Sequence, residues 1–190
     1  LPLLRPGSAA FFHALNAAAA ASMQGMPAWR AQLPELLDML VHVEPAAEAR
    51  AICIQALGTL SAMLPFAMPR AKLEPLWQQL VKVVEATRDP LTQRWLYVSR
   101  CMSTRHFSAT PFTLLRDAEE GTRLGKQAGD VRALIPLLIY ADAMTRFELG
   151  DASAVERLRE HLHFFEQSGD ALAQITCKQQ LSFILSQRGD

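Results

Sequence analysis

Five histidines are the residues of this sequence best suited to bind a metal ion, but their spacing argues against a metal site. His161 and His163 are two residues apart in a predicted helix, which points their side chains in directions about 200° apart. His13, His42 and His106 fall in separate predicted hairpins. We therefore predict neither a metal site nor a bound cofactor.

Catalysis by a general acid, a general base or a nucleophile has few candidate residues. Asp117, Glu119 and Glu120 form a carboxylate cluster, but neither a partner nucleophile nor a glycine-rich oxyanion-binding loop accompanies it. We interpret this cluster as a solvated helix face. The serines in helical patterns lack the strand–turn–helix context of a nucleophile elbow. These serines are Ser61, Ser99 and Ser182. The sequence therefore predicts a protein that is not an enzyme.

Residues suited to partner recognition lie on the polar side of the predicted first helices. Arg94, Tyr97 and Arg100 share one helix face, because residues three apart are neighbours on a helix. Arginine can bind a carboxylate with two hydrogen bonds, and tyrosine adds rigid contact area. Tyr140 and Lys178 extend this predicted surface, although Tyr140 fits equally well between repeats. We predict that these five residues bind a partner.

Charge and cysteine usage exclude several classes of partner and compartment. Nineteen basic residues balance nineteen acidic ones, so no global electric field attracts nucleic acid or an anionic membrane. Cys53, Cys101 and Cys177 are widely separated within apolar patterns, as expected for reduced core residues. We expect a cytoplasmic protein that binds no nucleic acid.

Two stretches without a charged residue, 6–29 and 51–69, resemble membrane spans. The first is mostly alanine and the second contains several polar residues, so we interpret both as helices of a protein outside the membrane. The sequence has no initiator methionine and no signal-peptide pattern. We therefore expect a piece of a longer polypeptide.

Four Gly-Asp pairs recur at nearly constant intervals near the end of the chain. Glycine supplies the left-handed residue that ends a helix, and aspartate can cap the next one. The pairs are Gly129-Asp130, Gly150-Asp151, Gly169-Asp170 and Gly189-Asp190. Their spacing of about twenty residues predicts helix hairpins of about forty residues, the period of an α-solenoid.

Other caps extend this spacing towards the beginning of the chain. Asp89-Pro90 and Thr110-Pro111 are strong helix starts, and Glu44-Pro45 is a weaker one. First helices are predicted to begin near Ser8, Pro45, Pro90, Asp130 and Asp170. Second helices are predicted at 28–42, 71–87, 111–128 and 152–167.

Two prolines, Pro34 and Pro136, lie inside these helices and predict kinks or later helix starts. For Pro34, the later start would be Gln32 or Leu33. No segment shows the sustained alternation of a half-buried strand. The predicted fold is all-α, a right-handed α-solenoid of about nine helices in antiparallel hairpins, with a single domain over residues 1–190.

A spaced quartet of large, aliphatic, small and large residues resembles the first helix of a tetratricopeptide repeat. The quartet consists of Trp95, Val98, Ser99 and Met102, and a second version consists of Ile54, Leu57, Gly58 and Ser61. The resemblance implies that the small third residue lets the second helix approach closely. The predicted helix 131–149 is longer than usual in this family, and Val155 replaces the usual alanine.

A narrower resemblance covers nearly the whole chain. Its segments are 3–8 (LLRPGS), 127–130 (QAGD) and 147–150 (FELG). They are similar to the C-terminal repeats of large bacterial signalling proteins, which carry a serine/threonine kinase domain, an AAA-type ATPase domain or both. The resemblance implies a regulatory or partner-sensing role. It transfers no catalytic residues, because the sequence has neither a phosphate loop nor a kinase catalytic loop.

The predicted function is therefore non-catalytic recognition of a protein or peptide by a tetratricopeptide-like domain of a signalling protein. One alternative is a superhelix that senses a small molecule, as in some transcription regulators. Another is a structural segment that self-associates through its repeat ends. Attached kinase or ATPase domains are further expected partners.

Overall fold

The computed structural model describes residues 4–22, 27–64, 69–103, 110–129 and 135–189. Within these ranges the protein contains nine α-helices and no strand, which confirms the all-α prediction. The helices are α1 (Ala9–Ser22), α2 (Pro27–His42), α3 (Arg50–Met63), α4 (Arg70–Thr87), α5 (Arg94–Met102), α6 (Pro111–Gln127), α7 (Ile135–Glu148), α8 (Ala154–Ser168) and α9 (Ala171–Arg188). Short 3₁₀ helices, Ala47–Ala49 and Pro90–Gln93, precede α3 and α5.

Side-chain caps set several of the predicted helix starts. The hydroxyl of Thr110 accepts a hydrogen bond from the Thr113 amide at 3.2 Å, and the Asp170 carboxylate accepts one from the Ala173 amide at 3.0 Å. Asp89 caps the 3₁₀ helix before α5 in the same way. The weaker prediction at Glu44 is wrong, because the 3₁₀ helix before α3 has no side-chain cap and Glu44 instead pairs with Lys82.

The glycines of the Gly-Asp pairs end their helices in the left-handed conformation, as predicted. Their φ angles are 68° at Gly129, 71° at Gly150, 69° at Gly169 and 80° at Gly189. Only part of the aspartate prediction is confirmed. Asp170 is a helix cap, whereas Asp151 accepts a hydrogen bond from the Ser153 amide in the turn before α8. Asp130 and Asp190 lie outside the described residues.

Prolines are tolerated inside two helices. The helix α2 begins at Pro27 and continues through Pro34, so the later start at Gln32 or Leu33 is wrong. Pro75 lies inside α4, a feature that the sequence analysis did not single out. Both prolines are at least partly exposed, and each leaves the carbonyl four residues earlier without its helical donor. Pro136 is the second residue of α7 as described, and the predicted start at Asp130 lies outside the described residues.

The chain divides into two compact units, Leu1–Ser99 and Arg100–Asp190, which we call the N-terminal and C-terminal units. In the N-terminal unit α1 packs on α2 and α3 packs on α4, while α1 also contacts α3 and α2 contacts α4. The first helices of the two hairpins, α1 and α3, thus pack on each other, and so do the second helices, α2 and α4. The largest side chains buried there include Phe11, Phe12, Leu15, Leu40, Leu57, Leu76 and Leu80.

In the C-terminal unit each helix from α6 to α9 packs on the next, and α7 also contacts α9. Their buried core consists of Ile135, Ile139, Ala143, Ala154, Val155, Leu158, Phe165, Ala173, Cys177 and Ile184. Contacts between neighbouring and next-but-one helices are what stacked hairpins require. The single repeat domain and its right-handed solenoid remain predictions.

The three cysteines are unpaired and buried, as the sequence predicted for core residues. Within the described ranges, none of the helices combines the length and the apolar character needed to cross a bilayer.

Candidate functional site

Two of the predicted partner-binding residues, Arg94 and Tyr97, are partly buried on α5 in the N-terminal unit. The Arg94 guanidinium donates a hydrogen bond to the Leu91 carbonyl at 2.5 Å and lies 5.6 Å from the centre of the Trp95 ring. Part of the donor capacity of Arg94 is therefore used by the 3₁₀ helix that precedes α5.

Arg100, the third predicted residue on α5, is held in an internal ion pair of the C-terminal unit. Its Nε atom lies 2.8 Å from Oδ2 of Asp117. The Asp117 side chain is almost inaccessible to solvent, and the Arg100 side chain is about one-third exposed. Truncating Arg100 would thus leave a buried carboxylate without its nearest cation.

The burial of Asp117 corrects the interpretation of the carboxylate cluster as a solvated face. Residue 117 lies on the same side of α6 as Leu114, Gly121 and Leu124, and this side is buried. Burial raises the pKa of Asp117, and the positive charges of Arg100 and Arg116 oppose that increase. The sequence analysis grouped the carboxylates by adjacency, whereas the helical period separates Asp117 from its neighbours.

Tyr140 and Lys178 belong to the C-terminal unit and lie on different helices, α7 and α9. The Tyr140 side chain is 37% exposed, so it reaches the surface and is not enclosed between repeats. Lys178 is exposed. Both side chains are therefore accessible to a partner.

A network of ion pairs around Arg146 joins α6, α7 and α8. Arg146 binds Asp142 one turn earlier in α7 at 3.1 Å, Asp151 in the following turn at 2.9 Å and Glu119 of α6 at 2.7 Å. Glu119 also pairs with Arg157 of α8 at 3.1 Å. Arg146 is only 13% exposed and Asp142 only 8%, so these charges depend on one another.

Next to this network, α6 and α8 form the two sides of a cleft of about 310 Å³. Asp142 of α7 also contributes to its lining. The lining residues are Ala118, Glu119, Thr122, Arg123, Lys126, Asp142, Arg157 and His161. Three of them are cationic and two are anionic at neutral pH, so the cleft is polar and charged.

Two cleft residues, Lys126 and His161, retain unused hydrogen-bonding capacity. Lys126 is exposed, and its ammonium group lies 4.4 Å from the centre of the Phe164 ring. His161 is half-buried. Burial and the positive charges of Lys126 and Arg157 lower the pKa of His161 to about 4. At neutral pH its imidazole is therefore uncharged, with one N–H donor.

The other histidines are not gathered around this cleft. His163 is exposed and lies 2.9 Å from the Gln167 side chain. His13 and His42 are exposed, and His106 lies outside the described residues. The described part of the chain contains no group of three or more potential ligands placed to hold a metal ion.

The cleft cannot be read from the sequence, because its residues are far apart in the chain. Lys126 and Arg157 belong to different predicted hairpins and meet only through the packing of α6 and α8 on α7. The one available signal was the set of charged residues that recurs along α6 at 119, 123 and 126. No protein-family model, curated protein or solved structure matches this chain.

Proposed function

We propose that this chain is a non-catalytic helical-repeat domain that binds a protein or peptide. The observation that carries the proposal is the charged cleft between α6 and α8. Its volume of about 310 Å³ lies at the lower limit of small-molecule pockets. A space of this size suits one or two side chains of a peptide that continues across the neighbouring surface.

The surroundings of the cleft favour recognition by a preformed surface. Glu119 joins α6 to both Arg146 of α7 and Arg157 of α8. These pairs fix the walls before a partner arrives, and preorganisation reduces the entropy lost on binding. Tyr140 on α7 provides a further accessible aromatic side chain in the same unit, and tyrosine is common among residues that dominate binding energy.

The cellular role is proposed from the resemblance described above. The chain would be a tetratricopeptide-like α-solenoid, a regulatory part of a bacterial signalling protein that also carries a kinase or ATPase domain. Three buried thiols are compatible with a cytoplasmic protein.

The test is selection of a random-peptide library on the purified 190-residue chain, followed by fluorescence anisotropy with the enriched peptides. We expect a shared motif, saturable binding, and weaker binding by the Tyr140→Ala variant. A parallel thermal-shift screen with metabolites tests the alternative of a small-molecule sensor, because a ligand of the native state raises the melting temperature. Failure to enrich any peptide, together with a metabolite that raises the melting temperature, would replace the proposal with that alternative.

A further inference from the structure

We infer that the cleft between α6 and α8 binds the carboxylate side chains of an acidic peptide through Lys126 and His161. This inference depends on the proposed peptide-binding function and adds the chemical class of the partner.

Lys126 has an ammonium group that is available to an incoming anion. Among the described residues, no carboxylate lies within ion-pair distance of it. Its contact with the Phe164 ring, 4.4 Å from ammonium to ring centre, holds the charge at the edge of the cleft. An ammonium that is already positioned loses less rotational freedom when it binds a carboxylate.

His161 supplies a second donor at the same end of the cleft. Its ring has no hydrogen-bond partner among the described residues, although the side chain is half-buried. A carboxylate in the cleft can accept the N–H hydrogen bond that water otherwise accepts. The charges that act on this ring are the positive charges of Lys126 and Arg157. A carboxylate is therefore the complementary ligand.

The two carboxylates that line the cleft are already paired with arginines. Asp142 pairs with Arg146, and Glu119 is shared between Arg146 and Arg157. Arg123 is occupied by Glu120, with Nε 2.8 Å from the carboxylate. Arg157 also pairs with Glu160 at 3.7 Å. Among the described residues, Lys126 is therefore the cationic lining residue without a carboxylate at ion-pair distance, and a peptide carboxylate is expected beside it.

A peptide fits this site better than a nucleic acid does. Binding a phosphate backbone requires a series of cations along a groove, and Lys126, Arg123 and Arg157 occupy one short cleft. The whole chain has no net charge, so it lacks the general attraction that supports nucleic-acid binding. One or two acidic side chains match both the number of available hydrogen-bond donors in the cleft and the volume of the cleft.

The primary test is fluorescence anisotropy of the 190-residue chain with labelled hexa-aspartate at low salt. Hexa-asparagine serves as the uncharged control peptide. We expect saturable binding of hexa-aspartate alone, and about tenfold weaker binding by Lys126→Glu. The matched control is Lys72→Glu, because Lys72 is an exposed lysine of α4 in the other unit. Thermal melting of both variants establishes that they remain folded.

Three outcomes would overturn the inference: no binding of hexa-aspartate by the wild-type chain, equal weakening by Lys126→Glu and Lys72→Glu, or binding of free succinate as tight as that of the peptide. The last result would identify a small dicarboxylate as the ligand. If library peptides bind but hexa-aspartate does not, only the acidic-partner inference fails and the proposed function stands. If no peptide of either kind binds, both fail.

The pH dependence of binding gives an independent readout of His161. A bound carboxylate stabilises protonated imidazole, so binding takes up a proton and hexa-aspartate should bind more tightly as the pH falls from about 7 to about 5.5. The other groups that face the ring are Lys126 and Arg123 of α6, Arg157 of α8, and Glu119 and Asp142 across the cleft. Burial raises the pKa of Asp142, so the His161 variant is needed to separate the two groups. His161→Gln should remove most of the pH dependence. His163→Gln should retain it, and the reverse pattern would contradict the assignment.

Discussion

The ring of Trp95 lies directly against Gly58, so that a Cβ atom at position 58 would lie 2.6 Å from Cε3 and 2.9 Å from Cβ of the tryptophan. Both residues belong to the quartets that resemble a tetratricopeptide repeat. The resemblance assigned the small third residue to an approach by the second helix. In this chain the three atoms nearest to such a Cβ all belong to Trp95, so Gly58 accommodates a side chain of α5, a later first helix.

Gly58→Ala should destabilise the protein by about 1–3 kcal/mol, since the added methyl group overlaps the base of a rigid side chain. The better helix propensity of alanine opposes this cost by only about 1 kcal/mol. Urea unfolding followed by circular dichroism measures the difference. In a Trp95→Leu background the same substitution should be neutral or stabilising, and an equal loss in both backgrounds would contradict the contact.

Asp117 should make stability depend on pH in the direction opposite to that of an ordinary paired carboxylate. Burial raises its folded pKa above the usual 3.8, so the folded state holds this proton more tightly than the unfolded state does. The free energy of unfolding should therefore fall relative to Asp117→Asn as the pH rises from about 4 to about 7.

The control for this pH dependence is Glu120→Gln. The hydrogen bond from Arg123 lowers the pKa of Glu120 below its usual value of 4.5. Ionised Glu120 therefore stabilises the fold at pH values above 4.5, and this stabilisation is lost as the pH falls. The wild-type chain should thus gain stability relative to Glu120→Gln as the pH rises. Parallel curves for the two variants would show that Asp117 has no raised pKa.

Arg146→Met should destabilise the chain by about 3–5 kcal/mol, because it leaves the buried Asp142 carboxylate without its cation. Adding Asp142→Asn should recover part of the loss, since a neutral amide needs no counter-charge. The matched control is Arg159→Met, which breaks an exposed pair with Glu156 and should cost less than about 1 kcal/mol. Chemical unfolding of the wild-type chain and the three variants checks the order, and similar losses at Arg146 and Arg159 would refute the network.

The cysteines should react with a thiol reagent only after unfolding. Burial raises the pKa of Cys53 to about 12 and that of Cys177 to about 11, and it also raises the pKa of Cys101. Very little thiolate is therefore present at about pH 8. Titration with a chromogenic disulfide should give three equivalents in denaturant and a much slower reaction in buffer. Fewer than three equivalents in denaturant, or an immediate native reaction, would contradict this prediction.

The helix positions could be predicted from the sequence because their signals are local. Left-handed glycines and caps such as Thr110 and Asp170 act within a few residues of the helix end. Local signals failed at Pro34, where a later helix start was one of the two expectations but the helix begins at Pro27 and continues through the proline. The helix α2 packs on α1 and on α4. Such tertiary packing commonly overrides the helix propensity of single residues.

The candidate site could not be predicted because it depends on packing between distant segments. Nothing in the sequence around Asp117 identifies Arg100 as its partner, and the two lie on different helices. Lys126 and His161 likewise meet only when α6 and α8 pack on α7. The sequence identified residue types suited to recognition, such as Arg94 and Tyr97, but could not show which arginines are engaged internally.

The turns after α7 and α8 illustrate a consequence of backbone handedness. At Gly150 and Gly169 the φ angle is positive, yet an added Cβ would have no atom within 4 Å. Glycine is required there for its dihedral angle alone, not for space. D-alanine, introduced by chemical ligation, favours this mirror-image conformation and has fewer unfolded conformations than glycine. These two turns are thus places where an amino acid of the opposite chirality suits the native chain better than the residue that translation supplies.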